Sequence, residues 1–164
     1  MPSIVPERVT AAHDGPLVVF IIGMRINKLW RLDKWLPVAR AMGPMIAELA
    51  RDGGSGFLGT EYALAGPRTV LLIQYWRDFD SLEAYAGARD RRHWPAWTAF
   101  NKAVGTGGTV GIFHETYATR AHETVYVNMP PFGLGKVGTL VPSVARYETA
   151  AQRMSTIDGN QTEN

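Results

Sequence analysis

RHWPAWTAFNKAVGTGGTVGIFHETY, residues 92–117, decides the fold, because it contains a helix, a turn and a strand in readable succession. His93, Trp97, Phe100, Asn101 and Val104 recur at i, i+4, i+7, i+8 and i+11, which places them on one helical stripe. The stripe is apolar apart from a histidine at one end and an amide within it. GTGG, residues 105–108, ends the helix where left-handed backbone costs little. TVGIFHETY then reads as a strand through its β-branched and aromatic content, and it carries His114. The two histidines either share a pocket or reflect ordinary core packing.

Working outward, LVVFIIGMRINK at 17–28 reads as the first strand. Alternation puts Phe20, Ile22, Met24 and Ile26 on one face and Ile21, Gly23, Arg25 and Asn27 on the other. Asp33 is a candidate cap for a helix whose apolar positions run from Trp35 to Leu49, with Gly43-Pro44 expected to kink or divide it. FLGTEYALA at 57–65 and TVLLIQYWR at 69–77 read as two strands joined at Gly66-Pro67, with Gln74 and Trp76 on one face and Ile73 and Tyr75 on the other. Asp78, Asp80 and Ser81 are candidate caps for the helix that follows, and Pro95 marks a break before the opening stripe. TVYVNM at 124–129 reads as a further extended segment.

The order strand, helix, strand, strand, helix, strand is a twofold repeat of βαβ. It predicts an α+β fold of the ferredoxin-like split type. Both helices would cover one face of such a sheet, and a second copy packed on the other would close a dimeric α/β barrel. The domain is placed at 16–138, with an N-terminal arm or loop at 1–15 and a partly flexible C-terminal extension at 139–164.

Composition narrows the function. The chain has 164 residues and no cysteine, so disulfide and thiolate chemistry are excluded. A formal charge of +2 is too small to indicate nucleic acid, and the run Arg89 to Arg92 reads as a solvated helix face. PLVVFIIGM is too short to span a membrane and lies behind polar-leaning residues, the wrong layout for a secretory signal. The expected protein is soluble and cytoplasmic, with no membrane or nucleic-acid partner.

There is no Walker-type loop, HExxH, GxSxG or CxxC. GGSG at 53–56 and GTGG each follow a helix and precede a strand, the reverse of a phosphate cradle. His93, His114, Glu115 and His122 are the available metal ligands, but Glu115 points away from His114 if both lie in one strand, so no metal site is expected. A haem needs one axial nitrogen and an apolar cavity; His114 could supply the nitrogen, although a hydrogen-bonded histidine in a strand is the favoured reading. Arg25, Asn27, Gln74 and Asn128 are polar residues within apolar strands. If buried they need partners, either one another or a cavity-bound substrate.

GMRINKLWRLDKWLPVARAM, LLIQYWRDFDSLEAYA, HWPAWTAFNKAVG, VGIFHETY and VYVNMPPFGLG together resemble the monooxygenase-like family that includes the fumagillin-pathway oxygenase. That family is a branch of the dimeric α/β-barrel antibiotic-biosynthesis monooxygenases. The resemblance implies a homodimer without flavin, haem or metal that oxidises an aromatic, polyketide-like or terpenoid-like metabolite with dioxygen, in secondary metabolism. It casts His114 or His93 as the base, with Arg25 and Asn128 or Asn101 stabilising the anion. Trp76, Trp97 and Tyr126 would form the wall for a small apolar or aromatic substrate, which Asn27 and Gln74 would also contact. Similar barrels include haem enzymes such as aldoxime dehydratases, in which His114 would be the axial ligand, and cofactor-free isomerases or cyclases. A barrel that only binds a small molecule is a further alternative.

Overall fold

Leu17–Ile26 forms the central strand of a four-stranded antiparallel sheet in a computed structural model that describes residues 3–87 and 107–159. In chain order the elements are β1 (Val9–Ala12), β2 (Leu17–Ile26), α1 (Leu32–Arg51), β3 (Phe57–Leu64), β4 (Thr69–Trp76), α2 (Phe79–Gly87), β5 (Val110–Thr119), α3 (Leu134–Val137), β6 (Thr139–Pro142), a 3-10 turn (Ala145–Tyr147) and α4 (Ala150–Gly159). The main sheet runs β3-β4-β2-β5, the strand order of a split βαβ repeat. The fold is α+β and ferredoxin-like, as the element order predicts.

Cross-strand register sorts the side chains. Phe20 lies opposite Gln74 and Thr116, and Ile22 lies opposite Leu72 and His114. On this face Val18, Leu49, Trp76 and Leu82 form a buried cluster, with Phe20, Ile46, Phe57 and Tyr85 against it, so α1 and α2 cover it here. Trp76 is fully buried, and its ring meets Phe57 edge-on at 5.3 Å.

The opposite face is not bare. Leu17 packs there with Ala11 and Leu134, flanked by Val19, Tyr75, Tyr126, Val137 and Leu140, so the chain covers part of its own sheet with β1, α3 and β6. Beyond that cover, Phe113 and Tyr117 stay exposed. Gly23 makes room for Phe113: a Cβ at Gly23 would lie 2.2 Å from Phe113 Cε1.

Several local expectations change. Asp33 lies inside the first turn of α1, bonded to Arg31 at 2.8 Å, rather than capping it. Gly43-Pro44 does not divide α1, which runs for 20 residues through both prolines. Asp78 does cap α2, accepting the Ser81 N–H at 2.7 Å, and Ser81 and Arg77 hold its carboxyl down at about 2. The segment expected as an N-terminal loop contains β1, which pairs with β6 near the other end of the chain. Residues 124–129 form no strand; isolated bridges link Val5 to Met129 and Val9 to Tyr126. The region past Tyr147 folds as α4, held by the buried Arg153, which pairs with Glu123 and donates to the Tyr147 and Glu148 carbonyls.

Candidate active site

The helix-covered face carries polar side chains on three strands, with His114 on one edge strand, Gln74 inside the sheet and Thr60 on the other edge strand. His114 on β5 is exposed, with its ring centre 5.7 Å from that of Phe20 on β2. Across Phe20 lies Gln74 on β4, and beyond it Thr60 on β3, so Thr60, Gln74, Phe20 and Thr116 form one row across four strands. Gln74 is buried and its Oε1 accepts the Trp76 indole N–H at 3.0 Å. Thr60 Oγ1 is buried with no hydrogen-bond partner among the described residues. Glu48 Oε2, on α1 one turn beyond Met45, is in the same condition. A buried polar atom without a partner is costly, so such atoms are where a ligand or water would bind. Sequence reading missed Thr60 and Glu48, because the amphipathic patterns that locate helices and strands treat a Thr in a strand and a Glu in a helix as surface residues.

The predicted site residues divide between the two faces. His114, Gln74 and Trp76 share the helix-covered face. Arg25 lies on the other, exposed, with Nη1 donating to Thr69 Oγ1 at 3.3 Å. Tyr126 packs there too, against Tyr75 and Leu17, so it stands across the sheet from Trp76. Asn27, past the end of β2, and Asn128, at φ 53°, are both exposed. His93, Trp97 and Asn101 lie outside the described residues. Glu115 does point away from His114 and accepts the Tyr117 hydroxyl at 2.8 Å. Among the described residues no three His, Asp or Glu side chains group as a metal site.

A second polar cluster lies under α3. Glu61 is buried and accepts from Gly133 N at 2.8 Å and Lys136 Nζ at 2.9 Å. Tyr126 Oη accepts from Gly135 N at 3.0 Å. Burial raises Tyr75 and Tyr126 above the ordinary phenol value, and the Glu61 carboxylate adds to it. Gly133, Gly135 and Gly138 follow GxGxxG spacing, which sequence reading missed in finding no such motif, but internal packing accounts for them. A Cβ at Gly138 would lie 2.6 Å from the Ala12 carbonyl oxygen, and one at Gly133 would lie 2.8 Å from Tyr75 Oη. With one Glu61 carboxylate oxygen accepting from Gly133 N and the other from Lys136 Nζ, the cluster anchors residues 133–138 on the sheet.

Comparison with known proteins adds the lineage. The family model described as Monooxygenase af470-like matches residues 17–134. The curated protein Monooxygenase af470 of Aspergillus fumigatus is 29% identical over 133 residues, covering 74% of this chain and 46% of that protein. The chain thus spans about half the length of this relative. Among solved structures, SnoaB, a cofactor-independent oxygenase from Streptomyces nogalater, matches at TM-score 0.45 and 15% identity over 65% of this chain and 95% of its own. A dimeric ferredoxin-like protein from an uncultured marine organism matches at TM-score 0.45 and 11% identity over 63% and 95%. No helix among the described residues is long and apolar enough to cross a membrane.

Proposed function

The chain belongs to the Monooxygenase af470-like family, and from that premise we propose that it is a cofactor-independent monooxygenase acting on an aromatic, polyketide-like or terpenoid-like metabolite. His114 is the proposed base. The observation that carries the reading is its position within a family-matched segment, accessible beside Phe20 and on the same face as the Thr60 hydroxyl, which has no partner among the described residues.

The chemistry suits a neutral imidazole. His114 takes the proton from an activated methylene or from the hydroxyl of a phenol or enol, leaving a delocalised anion that can donate electrons to dioxygen without a cofactor. Oxidation of the methylene to a carbonyl then balances: one oxygen atom stays in the product and the other leaves as water, with the substrate supplying all four electrons. Gln74 is committed to Trp76, and both are buried in the core, so this pair supports the sheet beneath the site rather than contacting substrate. Exclusion of water around the anion favours its electron transfer.

We propose a homodimer through the face away from α1 and α2, supported by the exposed Phe113 and Tyr117 beside the part the chain covers itself. Light scattering of the purified chain tests this, with twice the chain mass as the expected result. For the activity, His114→Ala is expected to lower turnover at least about tenfold with the fold unchanged. Full activity in that variant removes His114 from the mechanism.

A further inference from the structure

Away from the candidate active site, His13 in the β1–β2 connection faces His122 in the segment after β5, with ring centres 6.0 Å apart and planes inclined at 56°. Both Nε2 atoms are buried, and neither has a hydrogen-bond partner among the described residues. Thr119 Oγ1, three residues before His122, is a third buried atom in the same condition. Two adjacent histidines whose Nε2 atoms are closed off from water and unpaired among the described residues need an explanation, and a water or an ion is the usual one.

We propose that His13 and His122 form a binding site for one first-row transition-metal ion, such as Zn²⁺ or Cu²⁺, held through both Nε2 atoms, with water completing its coordination. Imidazole is a preferred ligand for these ions, and two rings on one tetrahedral ion at ordinary N–metal distances have centres roughly 5 Å apart. The observed 6.0 Å therefore needs a closure of only about 1 Å, within reach of ring rotation.

The ion would tie the β1–β2 connection to the segment leading into Thr124. That segment already holds β1, through Thr124 Oγ1 with Ala11 N at 2.8 Å and Thr10 Oγ1 at 3.1 Å. The site thus acts as a clasp over the self-covered face of the sheet. It stands apart from the proposed oxidation, and neither reading depends on the other.

Calorimetric titration of the whole chain with ZnCl2, and separately CuCl2, tests the proposal. Saturable binding of one ion per chain is expected, weakened at least about tenfold in His13→Gln and in His122→Gln and unchanged in His114→Gln. Zn²⁺ should also raise the melting temperature of the wild type by a few degrees. If either variant misfolds, long-range proton–nitrogen spectra of the wild-type histidines decide, since Zn²⁺ must shift the Nε2 resonances of both His13 and His122. No saturable uptake, uptake indifferent to both variants, or shifts confined to other histidines would overturn it and leave these nitrogens to water.

Discussion

His114 faces Ile22 across the β2–β5 ladder, and its imidazole centre lies 5.7 Å from that of Phe20. The side chain is exposed, and it makes no hydrogen bond with another described residue. His114→Ala should therefore change unfolding free energy by no more than about 0.5 kcal/mol in urea denaturation. A loss of activity in that variant can then be read as chemistry rather than as unfolding.

Trp76 and Gln74 behave in the opposite way. Gln74→Leu leaves the buried Trp76 N–H without its acceptor, and a cost of about 1–3 kcal/mol is expected. Trp76→Ala empties the centre of the cluster between α1, α2 and the sheet and should cost about 3–5 kcal/mol. Urea midpoints at constant m-value measure both, and a Gln74→Leu variant as stable as the wild type would place a water at the indole instead.

Gly23 and Phe113 form a coupled pair. In Gly23→Ala the new methyl meets the Phe113 ring, which must swing away from the sheet, at an expected cost of about 1–2 kcal/mol. Phe113 is 39% exposed within one chain, so its ring can move without disturbing that chain's own core. In Gly23→Ala/Phe113→Ala the clash is gone, so the double variant should lose less than the sum of the singles by about 0.5 kcal/mol or more. Strict additivity in the double-mutant cycle would contradict the contact.

Glu61 and Lys136 give a third stability test. Lys136→Met leaves the buried Glu61 carboxylate with Gly133 N as its remaining donor among the described residues, so the expected cost, about 1–2 kcal/mol, exceeds that of an ordinary surface pair. Glu61→Gln should restore part of it in the Lys136→Met background, because the neutral amide tolerates the loss of the ammonium. Thermal melts of the two variants and their combination measure this.

Stability should also fall in mild acid. Burial, and then the facing His13, holds His122 below its ordinary value of 6.5. The unfolded chain therefore takes up a proton that the folded chain resists, so this contribution is fully present above about pH 6.5 and is lost progressively as pH drops below it. His122→Gln in metal-free buffer should flatten the melting temperature between about pH 7 and 5. An unchanged slope would assign the acid sensitivity to other groups.

How much of this was legible in the sequence follows from which contacts are local. Alternation along 17–26 and 69–76 separates Phe20 from Ile21 and Gln74 from Tyr75, and the register confirms both separations. Alternation within single strands does not say which face of one strand continues onto the next. Trp76 and Tyr126 could therefore be grouped as one wall, although they stand on opposite sides of the sheet. The pairing of Val9 with Pro142 joins segments that are short, irregular and far apart in the chain, each too brief to carry a pattern of its own. The same holds for Arg153, whose burial depends on Glu123 and on carbonyls of the preceding turn.

The measurement that bears most directly on the proposed activity is product analysis under isotopically labelled dioxygen, using protein freed of metal by chelation and shown by its spectrum to carry no haem. Incorporation of one labelled atom per product, with the other recovered as water, is the expected result, and His114→Ala should slow it at least about tenfold. Product oxygen drawn from solvent, or turnover that begins only when haemin is added, would contradict a cofactor-independent monooxygenase.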